Sequence, residues 1–547
     1  MVSAAARIAD GQLELWGLPI RIDLRRPDWL SDPLADSALP DGSDRSWPGD
    51  RKPLWELHRQ QHIVPLGAGA ALAGRNDWAR LAGEHLLDWT VRNPPARGPG
   101  WSSGYETAHR LVGWTFAMPL VQSALEPSEL ARLDEAFTRQ CDFLAARPSR
   151  FSSANNHRIA ELVGLLAAAR LDAAGLEWAP LWRELEQQVD RQTYADGGSR
   201  EQAGGYFLYV LELLGVAAIL ARSAEKPLGR LKPRLEAMLE WLAAVANDEG
   251  EPPPVGDDAE DRMLRLEYFE PRRASVISAR VHALVGSADR PRYDRSTIRR
   301  ESGYAILRAR GTRIVFDVGE LGFGSLAAHG HADALAVLVD SAGESLLRDS
   351  GTGTYAPGLV REYLRSTAAH NTVVVDDASQ AQSRGPHLWG HRFRTILEAS
   401  RLSEAFDVVR ASHDGYRGSR HTRSVVFVKP DVLVILDRIV SDVPREATLV
   451  WHTSAEPAIA VASAPDAVRL AGRGPCSPRY SSVEEAPRVT WTTRGERVVF
   501  ATAVSLAGLP VTITLSTVGE TVTVEVTQPK RIRIVERWRG ETAEVEV

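Results

Sequence analysis

The chain has 547 residues, 44% of them apolar and 25% charged, the balance of an ordinary globular protein. That length is more than one hydrophobic core organises, so two or three domains are expected. With 65 Lys and Arg against 71 Asp and Glu the net charge is −6, which excludes a global positive field for nucleic acid or an anionic membrane. Any polyanionic ligand would need positive charge concentrated in a cleft.

Two distant cysteines, Cys141 and Cys476, argue against a disulfide framework or a cysteine-based zinc site. Residues 1–10 lack the continuous apolar run of a secretory signal. No stretch reaches about 18 uninterrupted apolar residues, so no membrane span is expected. As written the chain reads as cytoplasmic, unless an export signal lies outside it.

Residues 1–50, rich in Asp, Pro, Ser and Trp, read as an irregular N-terminal arm. From Pro53 the pattern turns helical. Leu54, Leu57, His58, Gln61 and Val64 recur at the spacing of one amphipathic helix. Further helices are predicted at 76–93, 104–124, 127–146, 155–172, 178–192, 201–223 and 226–247, separated by Gly and Pro breakers. Short links favour antiparallel neighbours. These helices form a predicted domain over 51–288.

Near Gly286 the texture changes. β-rich runs follow at Tyr304–Arg308, Arg313–Val318, Ala334–Val339, Ser345–Arg348, Thr372–Val375, Val425–Lys429, Val432–Leu436, Thr448–His452, Val498–Ser505 and Val511–Ser516, then an alternating tail from Thr521. Helices followed by strands imply separate domains, here an α+β chain whose second domain, 289–547, is a large antiparallel β-sandwich.

Three clusters could carry chemistry. The first runs from Ser152 to Glu161 and packs Asn155, Asn156, His157, Arg158 and Glu161 into seven positions. One such residue suffices to cap a helix; this many suggests a polar site at a helix N-terminus, where free N–H groups also suit an anion. The second runs from Asp196 through Arg200, Glu201 and Gln202 to Tyr206 and Tyr209, a loop opening into a helix. The third is His329-Gly330-His331-Ala332-Asp333, whose alternate residues share one face of an extended chain. With Asp349 and His370 downstream, the histidines make a zinc-type set. A metallohydrolase of the His-x-His-x-Asp-His type is a rival reading, but Ala334 stands in the last ligand position and a helical first half does not suit that fold.

These clusters, with Trp55–His62, Asn93-Pro94-Pro95, Trp101–Arg110, Val255–Asp258, Ser302–Tyr304, Leu347–Tyr355 and Arg365–Thr372, resemble in order and spacing the heparinase II/III-like polysaccharide lyases. The resemblance implies an incomplete (α/α) toroid followed by a multi-sheet β-sandwich. It implies β-elimination on a uronic-acid-containing polysaccharide. The sugar carboxylate is neutralised, the C5 proton is removed and the leaving O4 is protonated. By resemblance Asn156 or His157 neutralises the carboxylate, with Asn156 favoured for the Asn role. Tyr206 acts as base or acid on one side of the sugar ring, helped by Arg200 or Arg158, and His329 acts from the opposite face. Glu106, Arg110, Trp101, Arg158, Arg200 and Glu201 are candidates to bind substrate; Trp114 is a further groove candidate. His331, Asp349 and His370 would hold a divalent metal, with zinc favoured by the two imidazoles and calcium as the alternative. Many such lyases work in the periplasm or outside the cell. A glycan-binding or exopolysaccharide-assembly protein on the same scaffold is the second reading, since fold does not fix function.

Overall fold

The computed structural model describes the chain except residues 35–49, 267, 270–272, 288–292, 455–457, 529, 538–542 and 547. The N-terminal arm is not irregular where it is described. Helix α1, Val2–Ala9, leads into a hairpin of β1, Gln12–Leu15, and β2, Leu18–Arg21. Ala5 and Ile8 are buried against the helical domain, which stabilises so short a helix. The rest of the expected arm, 35–49, lies outside the described residues.

The single helix expected across 54–64 is two. Helix α2, Lys52–Arg59, stops where Gln60 turns left-handed, at φ 56°, and α3 runs Ile63–Ala73. Tertiary bonds override the periodicity: Gln60 Oε1 accepts from Trp114 Nε1 at 2.7 Å, and Gln61 reaches the carbonyl of Arg262. There follow α4, Asn76–Arg92; α5, Gly104–Val121; α6, Pro127–Ala146; α7, Asn156–Arg170; α8, Trp178–Gln192; α9, Gly204–Ser223; α10, Leu231–Val245; and α11, Arg273–Val285.

The helices form an incomplete (α/α) toroid. Helices α3, α5, α7, α9 and α11 pack each on the next as an inner layer. Helices α7 and α9 are apolar almost all round and buried almost throughout, as inner helices must be. Helix α9 is long and apolar enough to cross a membrane, but 94% of its apolar window is buried inside the protein, so it serves as core. Helices α6 and α8 keep an exposed polar face and cover the outside. Gly164 lets α7 close on α5: a Cβ there would stand 2.8 Å from Ala108 Cα. Residues at the N-termini of α5, α7 and α9 all reach one cleft.

The second half holds antiparallel sheets in three layers. A five-stranded sheet contains β3, Thr297–Arg299; β4, Tyr304–Ala309; β5, Thr312–Asp317; β6, Val337–Ser341; and β7, Glu344–Leu347. Short β8, Val373–Val375, pairs with the central sheet, while β9, Ser383–Gly385, and β10, Leu388–Trp389, pair with each other. The central sheet adds β11, Thr395–Leu402; β12, Phe406–His413; β13, Ser419–Val428; β14, Val432–His452; β15, Ile459–Ala464; β16, Val468–Cys476; and β17, Glu484–Ser505. The outer layer is β18, Thr512–Val518; β19, Thr521–Gln528; β20, Lys530–Arg537; and β21, Ala543–Glu546.

Both faces of the central sheet are covered, so β13 and β14 are apolar without alternation. Val425 and Phe427 face Leu307 and Phe316 of the first sheet, while Val426 and Val434 face Val524 and Ile534 of the last. The predicted strands 432–436 and 448–452 are two ends of β14, which shifts register between Val440 and Arg445.

Candidate active site

The cleft lies between toroid and sandwich and encloses about 360 Å³. The toroid contributes Lys52, Trp55 and Arg59 of α2, Tyr105 and Glu106 of α5, Asn155 and His157 at the start of α7, Tyr206 of α9, and Asp261. The sandwich contributes Leu326, Ala328, His329, Tyr355 and His387. The Asn155 side chain accepts from the His157 backbone N–H at 3.1 Å, so one cap both starts α7 and fixes the His157 position.

Tyr206 and His329 come from different domains and stack, with centroids 3.7 Å apart and planes 18° from parallel. The Tyr206 hydroxyl bonds the Tyr355 hydroxyl at 2.8 Å. His329 Nδ1 lies 3.2 Å from Asp257 Oδ2, and its Nε2 faces Glu201 Oε2 at 3.6 Å, beyond a hydrogen bond. Asp257 is fully buried and gripped by both terminal nitrogens of Arg361 and by His331 Nε2 at 2.9 Å. Burial pushes the Asp257 carboxyl up, but Arg361 and the two histidines outweigh it and hold it well below the usual range. Gly330 is required between the histidines, because a Cβ there would collide with the carbonyl of Leu321 at 1.5 Å.

His157 stacks on Tyr105 with centroids 4.4 Å apart. Burial, reinforced by the nearby His329, pushes its imidazole down to about 4, so it is neutral at pH 7. Burial raises the Tyr206 phenol well above its ordinary value, with Tyr355, Asp261 and Asp257 adding to the rise. The phenol is therefore protonated and poised to donate.

Several expectations need correction. Asn156 is fully buried behind the cleft: its amide nitrogen donates to both Glu201 oxygens, at 3.1 and 2.9 Å, and Asn155 takes the cleft position instead. Glu201 is occupied by Asn156, though it also lines a small recess beside His329. Tyr206 and His329 form one wall and do not oppose each other. Neither arginine expected to assist Tyr206 lines the cleft: Arg200 lies over the Tyr194 ring at 4.5 Å, and Arg158 pairs with Glu161 and Glu184. Arg110 and Trp101 belong to the helical core. Arg110 lies over the Trp89 ring and bonds Gln140 at 2.8 Å, while Trp101 donates to the carbonyl of Asn93. Trp114 is buried on Gln60. Glu106 does reach the cleft, clamped on Arg59 at 2.7 and 3.1 Å.

The sequence reading missed Lys52, Arg59, Asp261 and His387. Lys52 looked like part of an ordinary helix face, Arg59 fell within the Trp55–His62 motif but received no role, Asp261 sits in an irregular stretch, and His387 lies in a Gly- and Pro-containing hairpin with no pattern. Asp257 and Tyr355 fell within motifs already noted but received no role.

A second buried cluster lies next to this wall. Ligand atoms of His331, Asp333 and His370 lie within 4.8 Å of one another. His331 Nδ1, His370 Nε2 and Asp333 Oδ2 are buried without any hydrogen-bond partner. Buried polar atoms are rarely left so, and two imidazoles with a carboxylate are the donor set of zinc. The residues therefore fit a divalent cation. Asp349, expected as a ligand, touches His370 Nδ1 at 2.7 Å and so orients that ring. Asp333, read as a supporting residue, joins the gathered set.

Two family models cover most of the chain: heparinase II/III N-terminus over residues 27–266 and heparinase II/III-like, C-terminal over 295–543. The chain belongs to the heparinase II/III-like family. It is 21% identical to a heparin-sulfate lyase of Pedobacter heparinus over 79% of this chain and 69% of that one. It is 22% identical to a heparin-sulfate lyase of Bacteroides stercoris over 72% of this chain, and there it spans under two thirds, 63%, of the relative's length. A crystal structure of heparinase III superposes with a TM-score of 0.73 at 15% identity, covering 92% of this chain and 86% of that one. At that identity the superposition shows a shared fold: toroid, then layered sandwich.

Proposed function

We propose that this member of the family is a polysaccharide lyase that cleaves a uronic-acid-containing polysaccharide by β-elimination. The observation that carries the reading is the convergence of His157, Tyr206 and His329 from two domains on one cleft. The relatives' activity supports the same reaction class.

The chemistry follows from the hydrogen bonds. Asp257 accepts from His329 Nδ1, which leaves Nε2 as the lone-pair nitrogen at the cleft. His329 is then the base for the C5 proton. Tyr206, protonated and beside it, donates to the departing O4, and Tyr355 can pass a proton to it through the 2.8 Å contact. His157 and Asn155, both at the α7 N-terminus, are the neutral groups placed to take the uronate carboxylate. A divalent cation, zinc by its donor set, would be held by His331, Asp333 and His370. It would supply positive charge that neutralises buried carboxylate and braces the loop carrying His329.

The test is ultraviolet absorbance of the unsaturated uronate product across a panel of acidic polysaccharides. Product formation that is lost in Tyr206→Phe supports the reading. Glycan binding without product would support the binding-protein alternative and overturn this one.

A further inference from the structure

The elimination chemistry leaves His387 without a part, although it lines the cleft with His329. Its ring stands 6.1 Å from the His329 ring at 68°, and its Nδ1 is buried with no hydrogen-bond partner. One nitrogen of each histidine and one oxygen of Asp257 lie within 4.8 Å of one another.

The fold sets this trio in place. Arg361 holds both Asp257 oxygens and also donates to the Pro386 carbonyl at 2.9 Å, so the residue before His387 is tied to the carboxylate. Trp389 Nε1 donates to the Gly330 carbonyl at 2.9 Å, which ties the β9–β10 hairpin to the loop of His329. His329 Nδ1 stands 3.2 Å from Asp257 Oδ2. That is long for a charge-assisted hydrogen bond, ordinarily about 2.7–2.9 Å. It matches the edge of a zinc tetrahedron, where ligand atoms about 2.0–2.1 Å from the ion stand about 3.3 Å apart.

We propose that Asp257, His329 and His387 form a second divalent-metal site, separate from the cluster of His331, Asp333 and His370, and that a transition metal bound there switches His329 off as a base. Two imidazoles and a carboxylate, with a fourth position open to the cleft, are a donor set for zinc. The ion takes the Nδ1 lone pair, and the proton of Nδ1 moves to Nε2, so none is released. Nε2 then carries an N–H and cannot accept the C5 proton. On Asp257 Oδ2 the ion replaces the His329 proton, so the carboxylate keeps its number of partners. The Arg361 charge beside Asp257 opposes a further cation, which makes this site weaker than the buried one by about tenfold or more. The loss of turnover rests on the elimination reading above; the binding of the ion does not.

The experiment loads the chain with zinc, desalts it and titrates it at equilibrium with cobalt(II), whose visible absorbance reports a site of low coordination number. His387→Ala and His387→Gln are run beside the native chain, each checked for an unchanged unfolding temperature. The expected result is one equivalent of zinc retained through desalting in all three chains, and one equivalent of cobalt(II) taken up with a visible band by the native chain alone. No band in the native chain, or equal uptake in the variants, overturns the site. During turnover, added zinc should inhibit the native chain at about a tenth or less of the concentration either variant needs, each relative to its own rate without added zinc, since even a lost outer-shell partner costs ~10–100-fold in metal affinity. Equal sensitivity, or none, overturns the switch. Absence of unsaturated product from every polymer overturns the elimination reading and the switch, while the cobalt(II) titration still decides the site.

Discussion

The Tyr206 ring lies flat on the His329 imidazole, 3.7 Å between centroids, and this contact joins the toroid to the sandwich at the wall of the cleft. One residue comes from the first turn of α9 and the other from the loop between β5 and β6. The proposed acid and base are therefore adjacent, which suits removal and delivery of protons on one side of a sugar.

Tyr206→Phe keeps the stack and removes only the hydroxyl. We expect kcat to fall about 10²–10⁴-fold with KM little changed, measured by product absorbance. Tyr355→Phe removes the 2.8 Å partner and is expected to give a smaller fall. Retained turnover in Tyr206→Phe would take that residue out of the mechanism.

Asp257→Asn removes the charge that fixes the His329 tautomer and leaves Arg361 buried without a counter-charge. Stability is expected to drop by about 3–5 kcal/mol in denaturant titrations. Adding Arg361→Gln should recover much of that stability and none of the turnover, because His329 still lacks its carboxylate. Recovery of both would show that Asp257 acts only through packing.

His370→Ala and Asp333→Asn should abolish bound zinc by elemental analysis. A chelator should lower the unfolding temperature of the native chain by removing a ligand that binds only the folded state. A metal-free chain whose melting does not respond to added zinc would contradict the assignment of that cluster.

Glu536 is buried between Ser424 and Arg410 on β20. Burial pushes its carboxyl from 4.5 up to about 7, against the opposing pull of Ser424 and Arg410. The folded state then binds the proton more tightly than the unfolded one. Its contribution is full below 4.5 and is lost as pH rises through about 7, so stability falls across that window. The slope should be shallower in Glu536→Gln, by on the order of 3 kcal/mol over the window. Parallel slopes in the two chains would contradict it.

Helix-then-strand architecture was legible because inner helices and doubly covered strands carry long apolar runs. The break at Gln60 was not, since it depends on Trp114, 54 residues away. Strands β11 and β16 expose much of their length, so no apolar alternation marks them. In the site, Tyr206, His157, His329 and His331 stand in dense polar motifs. Motif density could not separate Asn155 from Asn156, because one residue along a capping turn decides which side chain meets the cleft and which meets Glu201. Arg110 and Trp101 looked like groove residues only because Arg and Trp serve glycan grooves and helical cores alike.

The most direct measurement is mass spectrometry of the chain ends released from the uronic-acid polymers of the panel. Elimination leaves a non-reducing end that is unsaturated and lighter by one water than the hydrolytic product, and this is the expected result. Saturated ends, or tight binding with the polymer intact, would contradict the lyase assignment.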